Sequence, residues 1–251
     1  MIEPYVTFNE KNNVGYIEFF HPSHNAMPSN VLKQLEQTFV NAENSDVKVL
    51  VLKSGGDRTF CAGASFNELI KIEDEATGKA FFSGFANVIN AMRKSSKIII
   101  GRVQGKAVGG GVGLAAATDY CLATQYASIK LSELSIGIGP FVIEPAVTRK
   151  IGVSNMSEMT LNAETFYSAE WARSKEFFVD VFKTTEDLDV AVKNLAEKLA
   201  SYNPEALKEM KRVIWQNTTH WDDLLSKRAE ISGKLVLSKF TKETLQRFKQ
   251  S

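Results

Sequence analysis

Apolar residues recur along this chain with two periods, and the switching between them lays out its elements. Tyr5-Val6-Thr7-Phe8 and Val14-Gly15-Tyr16-Ile17-Glu18-Phe19-Phe20 are rich in β-branched and aromatic residues. The Asn, Glu and Lys of residues 9–13 between them suit a hairpin turn, so the two runs are predicted to pair as antiparallel strands. From Ser29 onward, Val31, Leu32, Leu35, Phe39 and Val40 share one helix face, and Val47-Lys48-Val49-Leu50-Val51-Leu52 then reads as a buried strand. The order repeats: a helix around residues 81–92, the strand Ile98-Ile99-Ile100-Gly101-Arg102-Val103, a helix opened by a glycine cluster, and the strand Tyr120-Cys121-Leu122-Ala123. Helices alternating with apolar strands imply an α/β fold with a mainly parallel sheet and ligands at the carboxyl ends of the strands.

Beyond Glu144 the strand signal fades and helical periodicity takes over, in residues 188–199, 206–215 and 224–237. Asn203-Pro204 marks a helix start, because asparagine caps free amides and proline fits the first helical position. No repeat or low-complexity linker interrupts the chain. The division expected is a core over residues 1–195 with a packed helical region over 196–251.

With 251 residues, 44% of them hydrophobic, the chain can bury a substantial core. Thirty Lys and Arg against 29 Asp and Glu leave a formal charge of +1, too little for a field that would attract nucleic acid or an anionic membrane. Two cysteines, Cys61 and Cys121, make no disulfide framework and lack zinc-site spacing, which points to a reducing compartment. The start carries no basic segment followed by an apolar one, and no uncharged run reaches the roughly 18 residues that span a bilayer. A soluble, cytoplasmic protein is expected.

The candidate chemistry lies in three segments. In Val108-Gly109-Gly110-Gly111-Val112-Gly113-Leu114, glycines sit between a strand-like and a helix-like run, where backbone amides without intrahelical partners meet the positive end of a helix dipole. Such a place can hold a phosphate, a carboxylate or a developing oxyanion. The second segment, Phe60-Cys61-Ala62-Gly63-Ala64-Ser65-Phe66, precedes a helix expected from Asn67, and its small residues leave the backbone open. Amides of Ala64 and Gly110 converging on one oxygen would make an oxyanion hole, although each loop alone reads equally well as a tight strand-to-helix turn. The third, residues 128–141, sets Glu133 among apolar and small residues. Burial there would raise its pKa into the range of a proton shuttle, whereas taken alone it reads as an exposed turn residue.

Taken together, these segments resemble the crotonase superfamily, the enoyl-CoA hydratase and isomerase family, over nearly the whole chain. Phe60-Cys61-Ala62-Gly63-Ala64 resembles the family's first oxyanion loop, Gly109-Gly110-Gly111 its second, and Ser132-Glu133-Leu134 the turn that carries a catalytic glutamate. His21-Pro22-Ser23-His24-Asn25-Ala26 is similar to the loop that touches the nucleotide of coenzyme A. Asn203-Pro204-Glu205-Ala206-Leu207 with Lys211 resembles the C-terminal helical region, and Phe248 falls where a terminal aromatic packs near the CoA of a neighbouring subunit. The resemblance implies a crotonase-like spiral of ββα turns with a C-terminal α-helical trimerisation region, forming homotrimers or homohexamers. It also implies an acyl-CoA substrate with Glu133, Ala64 and Gly110 catalytic and His24, Ala26, Ala62, Ser65, Phe66, Gly109 and Phe248 binding substrate or CoA. No metal and no cofactor is expected beyond the coenzyme A of the substrate.

Departures from the family pattern shape the expected reaction. Family hydratases carry a second glutamate two residues beyond the triple glycine, where this chain has Gly113. Hydration divides a base and an acid between two carboxylates, whereas shifting a double bond from the 3 to the 2 position needs one group to carry a proton from Cα to Cγ. An enoyl-CoA isomerase is therefore expected. The alternatives are a hydratase using another acid, for which Glu144 is the candidate, or a CoA-thioester binding protein whose catalysis has decayed. Glu144 reads more readily as a carboxylate at a helix N-terminus, favoured there by the dipole. Ser65 stands in place of an aspartate and Phe141 in place of a glycine, changing the pocket.

Other features are set aside. Gly111-Val112-Gly113-Leu114-Ala115-Ala116 fits a loose dinucleotide fingerprint but lies mid-chain, away from a first βα turn. Nothing ties Cys61 to a base, and His21, His24 and His220 lack metal-ligand spacing. Lys193, Lys198, Lys208, Lys211 and Arg212 read as solvated charge.

Overall fold

A computed structural model describes residues 3–250. The hairpin forms as expected: β1 (Tyr5–Lys11) pairs antiparallel with β2 (Val14–Phe20), Tyr5 opposite Phe20 and Lys11 opposite Val14. Its turn is Asn12-Asn13, both in the left-handed region that asparagine tolerates. After α1 (Ser29–Ala42), β3 (Val49–Ser54) lies parallel to β2. Then come β4 (Thr59–Cys61), the single turn α2 (Phe66–Leu69), α3 (Glu75–Lys94), β5 (Ile98–Val103), β6 (Lys106–Val108), α4 (Gly110–Ala116), β7 (Tyr120–Thr124) and β8 (Ser128–Lys130). A 3-10 turn over Glu133–Ile136 precedes α5 (Glu144–Leu161), β9 (Tyr167–Ser168), α6 (Ala169–Ser174) and β10 (Asp180–Phe182). Four helices finish the chain: α7 (Thr185–Ala200), α8 (Pro204–Ile214), α9 (Trp221–Leu235) and α10 (Lys239–Gln250).

The strands make two sheets. The larger has the order β1-β2-β3-β5-β7-β10 and is parallel from β2 onward. Both of its faces are covered, which is why β3 is almost uniformly apolar. Leu50 and Leu52 pack with Leu35 and Phe39 of α1, while Val49 and Val51 meet Leu188, Val192 and Ala196 of α7 on the other face. The smaller sheet, β4-β6-β8-β9, is built from strands of two or three residues. Among the described residues no helix is long and apolar enough to cross a membrane.

Two expectations need correction. Strands do occur beyond Glu144: β9 pairs with β8 and β10 with β7. Runs of two and three residues are too short to show alternation, so their pairing partners, and not their own sequence, make them strands. Lys211, expected on a solvated face, is buried. Its ammonium lies 2.7 Å from Asp119 Oδ2, with the two side chains 3% and 4% exposed. Asp119 also accepts from Trp215 Nε1 and from the Ile99 amide. The partner lies 92 positions away, beyond the reach of helix-face reasoning.

This ion pair ties α8 to the start of β7, just beyond α4. Removing one member strands the other charge in the interior, which costs about 3–5 kcal/mol. Lys211→Met is accordingly expected to lower the urea-unfolding free energy by roughly that amount, while Lys211→Met combined with Asp119→Asn recovers much of it. Equal stability of Lys211→Met and the wild type would show that the pair contributes nothing.

Candidate active site

The three segments singled out from the sequence lie side by side because β4, β6 and β8 run parallel in the small sheet. Cys61 pairs with Ala107, and Ala107 with Ile129, all fully buried. Each segment leaves the carboxyl end of its strand: Ala62-Gly63-Ala64 after β4, Gly109-Gly110 after β6, Ser132-Glu133 after β8. The pairing continues one step further, the Gly109 amide donating to Lys130 O at 2.9 Å.

The first two loops touch through backbone. Gly63, with φ of 90°, passes so close that a Cβ there would lie 2.9 Å from Val108 O and 3.7 Å from the Gly110 amide nitrogen. Around Ala64 the hydrogen bonds alternate: the Met27 amide donates to Gly63 O and the Ser65 amide to Met27 O. Ala64 N–H lies between them and has no acceptor among the described residues. Gly110 opens α4, so its amide has no acceptor within the helix.

Glu133 lies against Gly109, at the start of the second loop. A Cβ at Gly109 would sit 2.8 Å from Glu133 Oε1, and Gly109 has φ of 51°, so glycine is required there on both counts. Among the described residues Glu133 Oε2 is buried with no hydrogen-bond partner. Burial therefore dominates its titration and pushes the carboxyl up to about 7. This group holds or releases a proton near neutrality.

The three segments line a cavity of about 440 Å³, within the usual range for small-molecule sites. Phe66 and Leu69, Phe82 and Phe85 of α3, and Ile138, Phe141 and Ile143 supply most of its apolar wall, and Phe248 of α10 its more exposed edge. Glu133 is the one carboxylate lining it among the described residues. At Gly113 a Cβ would meet Ile143 Cγ2 at 2.3 Å, so the space where a side chain would start is already filled. Glu144 heads α5, accepts from Thr148 Oγ1 at 2.6 Å and pairs with Arg228 at 3.3 Å, and it does not line this cavity.

The remaining predicted residues divide. Ala62, Phe66, Gly109 and Phe248 line the cavity, Phe248 that of its own chain. His24, Ala26 and Ser65 do not, and instead shape the first loop: His24 O accepts from the Ala62 amide, and the Ala26 amide donates to Ser23 O. Asn25, not singled out from the sequence, is the clamp. Its side chain donates to Gly55 O and Thr59 O, each at 2.8 Å, and accepts from the His21 amide. An asparagine beside a proline-containing turn is the signal that could have found it. Phe82, Phe85 and Ile143 were also missed, since apolar residues on a helix face do not announce that they border a cavity. Cys61 is buried with its thiol pushed up to about 12, the state of an inert packing residue.

A family model described as enoyl-CoA hydratase/isomerase matches residues 9–250. The bacillaene synthase dehydratase PksH of Bacillus subtilis is 30% identical over 183 residues, 70% of this chain and 68% of that protein. The peroxisomal Delta(3,5)-Delta(2,4)-dienoyl-CoA isomerase of Arabidopsis thaliana is 27% identical over 223 residues, 82% of this chain and 78% of that one. In fold, the enoyl-CoA hydratase of Bacillus halodurans superposes with a TM-score of 0.90 over 97% of this chain and 99% of its own, at 17% identity. With its family pattern spanning nearly the whole sequence and its three loops meeting in one cavity, the chain belongs to the enoyl-CoA hydratase/isomerase family and is an enzyme of that type.

Proposed function

We propose that this protein moves the double bond of a 3-enoyl-CoA to the 2 position, with Glu133 as the single proton carrier. The observation that carries the reading is the lone carboxylate: among the described residues Glu133 lines the cavity without a second acid, and the space beside Gly113 is taken by Ile143. The thioester oxygen accepts from the Ala64 and Gly110 amides. Glu133, as carboxylate, takes a proton from Cα, and the electrons of that C–H bond delocalise through the carbonyl and the double bond. The charge that collects on the oxygen is met by the two amides and by the N-terminal end of α4. Glu133, now neutral and stable in its buried place, returns the proton at Cγ, and the double bond is left between Cα and Cβ. The proton balance closes on one residue, with no water consumed.

The Arabidopsis relative, by its description a dienoyl-CoA isomerase, supports double-bond movement. A second reading, reversible addition of water to a 2-enoyl thioester, is favoured by the Bacillus subtilis relative's description as a dehydratase. Absorbance separates them. Isomerisation of 3-enoyl-CoA generates the conjugated chromophore, whereas hydration of 2-enoyl-CoA bleaches it. We expect the chromophore to appear, and bleaching without isomerisation would reverse the order of the two readings. Glu133→Gln is expected to retain acyl-CoA binding while losing roughly 10²- to 10⁴-fold in kcat. Turnover at the wild-type rate in that variant would sink the single-carboxylate mechanism.

A buried carboxyl with a raised pKa also sets two opposite pH dependences. The free enzyme needs the carboxylate, so kcat/KM should climb about tenfold per pH unit below about 7 and level off above it. Stability runs the other way. Between the ordinary value of 4.5 and about 7 the folded protein holds a proton that the unfolded chain has released. Unfolding free energy should therefore fall with rising pH across that window, by on the order of 3 kcal/mol. Glu133→Gln should lose this dependence. Wild type and Glu133→Gln changing in parallel from pH 4.5 to 8, in denaturant titrations, would show that Glu133 is not the group responsible.

A further inference from the structure

Phe141 lies on the border of two cavities. With Pro140 it lines the catalytic cavity, and with the same neighbour it lines a second one of about 270 Å³. The two are separate, and the second holds more than half the volume of the first. The ring of Phe141 is seated against Gly139, where an added Cβ would lie 2.5 Å from Cε2 and 2.6 Å from Cζ. Gly139 itself lines the catalytic cavity. The ring is thus laid along the backbone that bounds the site, and only a residue without a side chain at 139 permits that.

The second cavity suits a hydrocarbon tail along most of its wall. Val153, Met156 and Leu161 line it on the α5 side. Of the polar residues that line it, Glu144 and Arg228 are engaged with one another, Thr148 donates to Glu144, and Ser157 lies on the exposed side. Thr160 also lines it, and its hydroxyl oxygen is buried without a hydrogen-bond partner among the described residues.

We propose that Phe141 is a specificity-determining residue: its ring is a partition that stops the acyl group at the end of the catalytic cavity and keeps longer chains out of the second one. The inference rests on the cavity being the acyl-thioester site of the proposed function, and it adds what sets the length of the acyl group. Phe141 does not touch the reacting atoms in this account. Its effect falls on recognition of the far end of the chain, in the Michaelis complex and the transition state alike.

The test uses saturated, straight-chain acyl-CoA thioesters from butyryl to dodecanoyl, whose binding is measured by calorimetry and needs no turnover. For the wild type, affinity should rise with chain length to a limit and then fall. In Phe141→Ala the limit should move to longer chains, with a gain of roughly tenfold or more for the first thioesters the wild type rejects. Phe141→Leu, which keeps a bulky partition, should retain the wild-type limit. Should Phe141→Ala not fold, Phe141→Val reads the same shift. If wild type and the small-residue variant share one length limit, the partition is overturned even though acyl-CoA binds. If the wild type binds no acyl-CoA of any length, the acyl-thioester reading fails, and the partition with it.

Discussion

The parallel pairing of three very short strands is the constraint on which the site depends. β4, β6 and β8 contribute three residues each, far too few to be stable alone. They are held in register by their fully buried row, Cys61, Ala107 and Ile129, set into the main core. Parallel pairing brings the carboxyl ends of neighbouring strands together, so a loop from each strand reaches the same place. A slip of one residue in β6 would turn Ala107 away from the core and carry Gly109 away from Glu133. The chemistry is thus aligned by backbone register before any side chain in the site makes a contact.

Once the loops are aligned, the properties of Glu133 follow from what surrounds it. Its carboxyl is boxed by the Gly109 backbone, and Oε2 has no hydrogen-bond partner among the described residues. Such a group is costly to ionise, and the cost is the source of its usefulness: it gives up a proton near neutrality and takes one back readily. Gly113 and Ile143 belong to the same design. A second carboxylate starting from position 113 would need the space of Ile143, and among the described residues Glu133 is the one acid that lines the cavity. Stability is lost at Glu133 and recovered elsewhere, notably in the larger sheet packed on both faces.

The larger sheet, its three-residue β10 apart, was legible in the sequence because its other strands are long enough to carry a pattern. Ile98–Val103 and Val14–Phe20 emerge with the bounds read from the sequence, and α1, α7, α8 and α9 lie within a few residues of theirs. The smaller sheet was not legible. Lys106-Ala107-Val108 carries no period, and its identity as a strand comes from the partners of Ala107, Cys61 46 residues before it and Ile129 22 after it. The site itself was readable through its glycines, since close approach of backbone leaves a compositional trace at 63 and 109–111. What fills the cavity left none: Phe82, Phe85 and Ile143 look like any core residue until the chain is folded. Lys211 shows the same limit for charge, being surrounded by acidic residues in sequence and by Asp119 in space.

The central claim is that one buried carboxyl titrates near neutrality in the resting enzyme. Carbon-13 NMR of protein labelled at the glutamate carboxyl carbon tests it directly, with Glu133→Gln identifying the resonance. One signal should titrate with a midpoint of about 7, well above the other glutamates, and vanish in Glu133→Gln. If every glutamate signal titrates in the ordinary carboxylate range, or if the high-pKa signal survives the substitution, Glu133 is not the group that burial has poised for proton transfer.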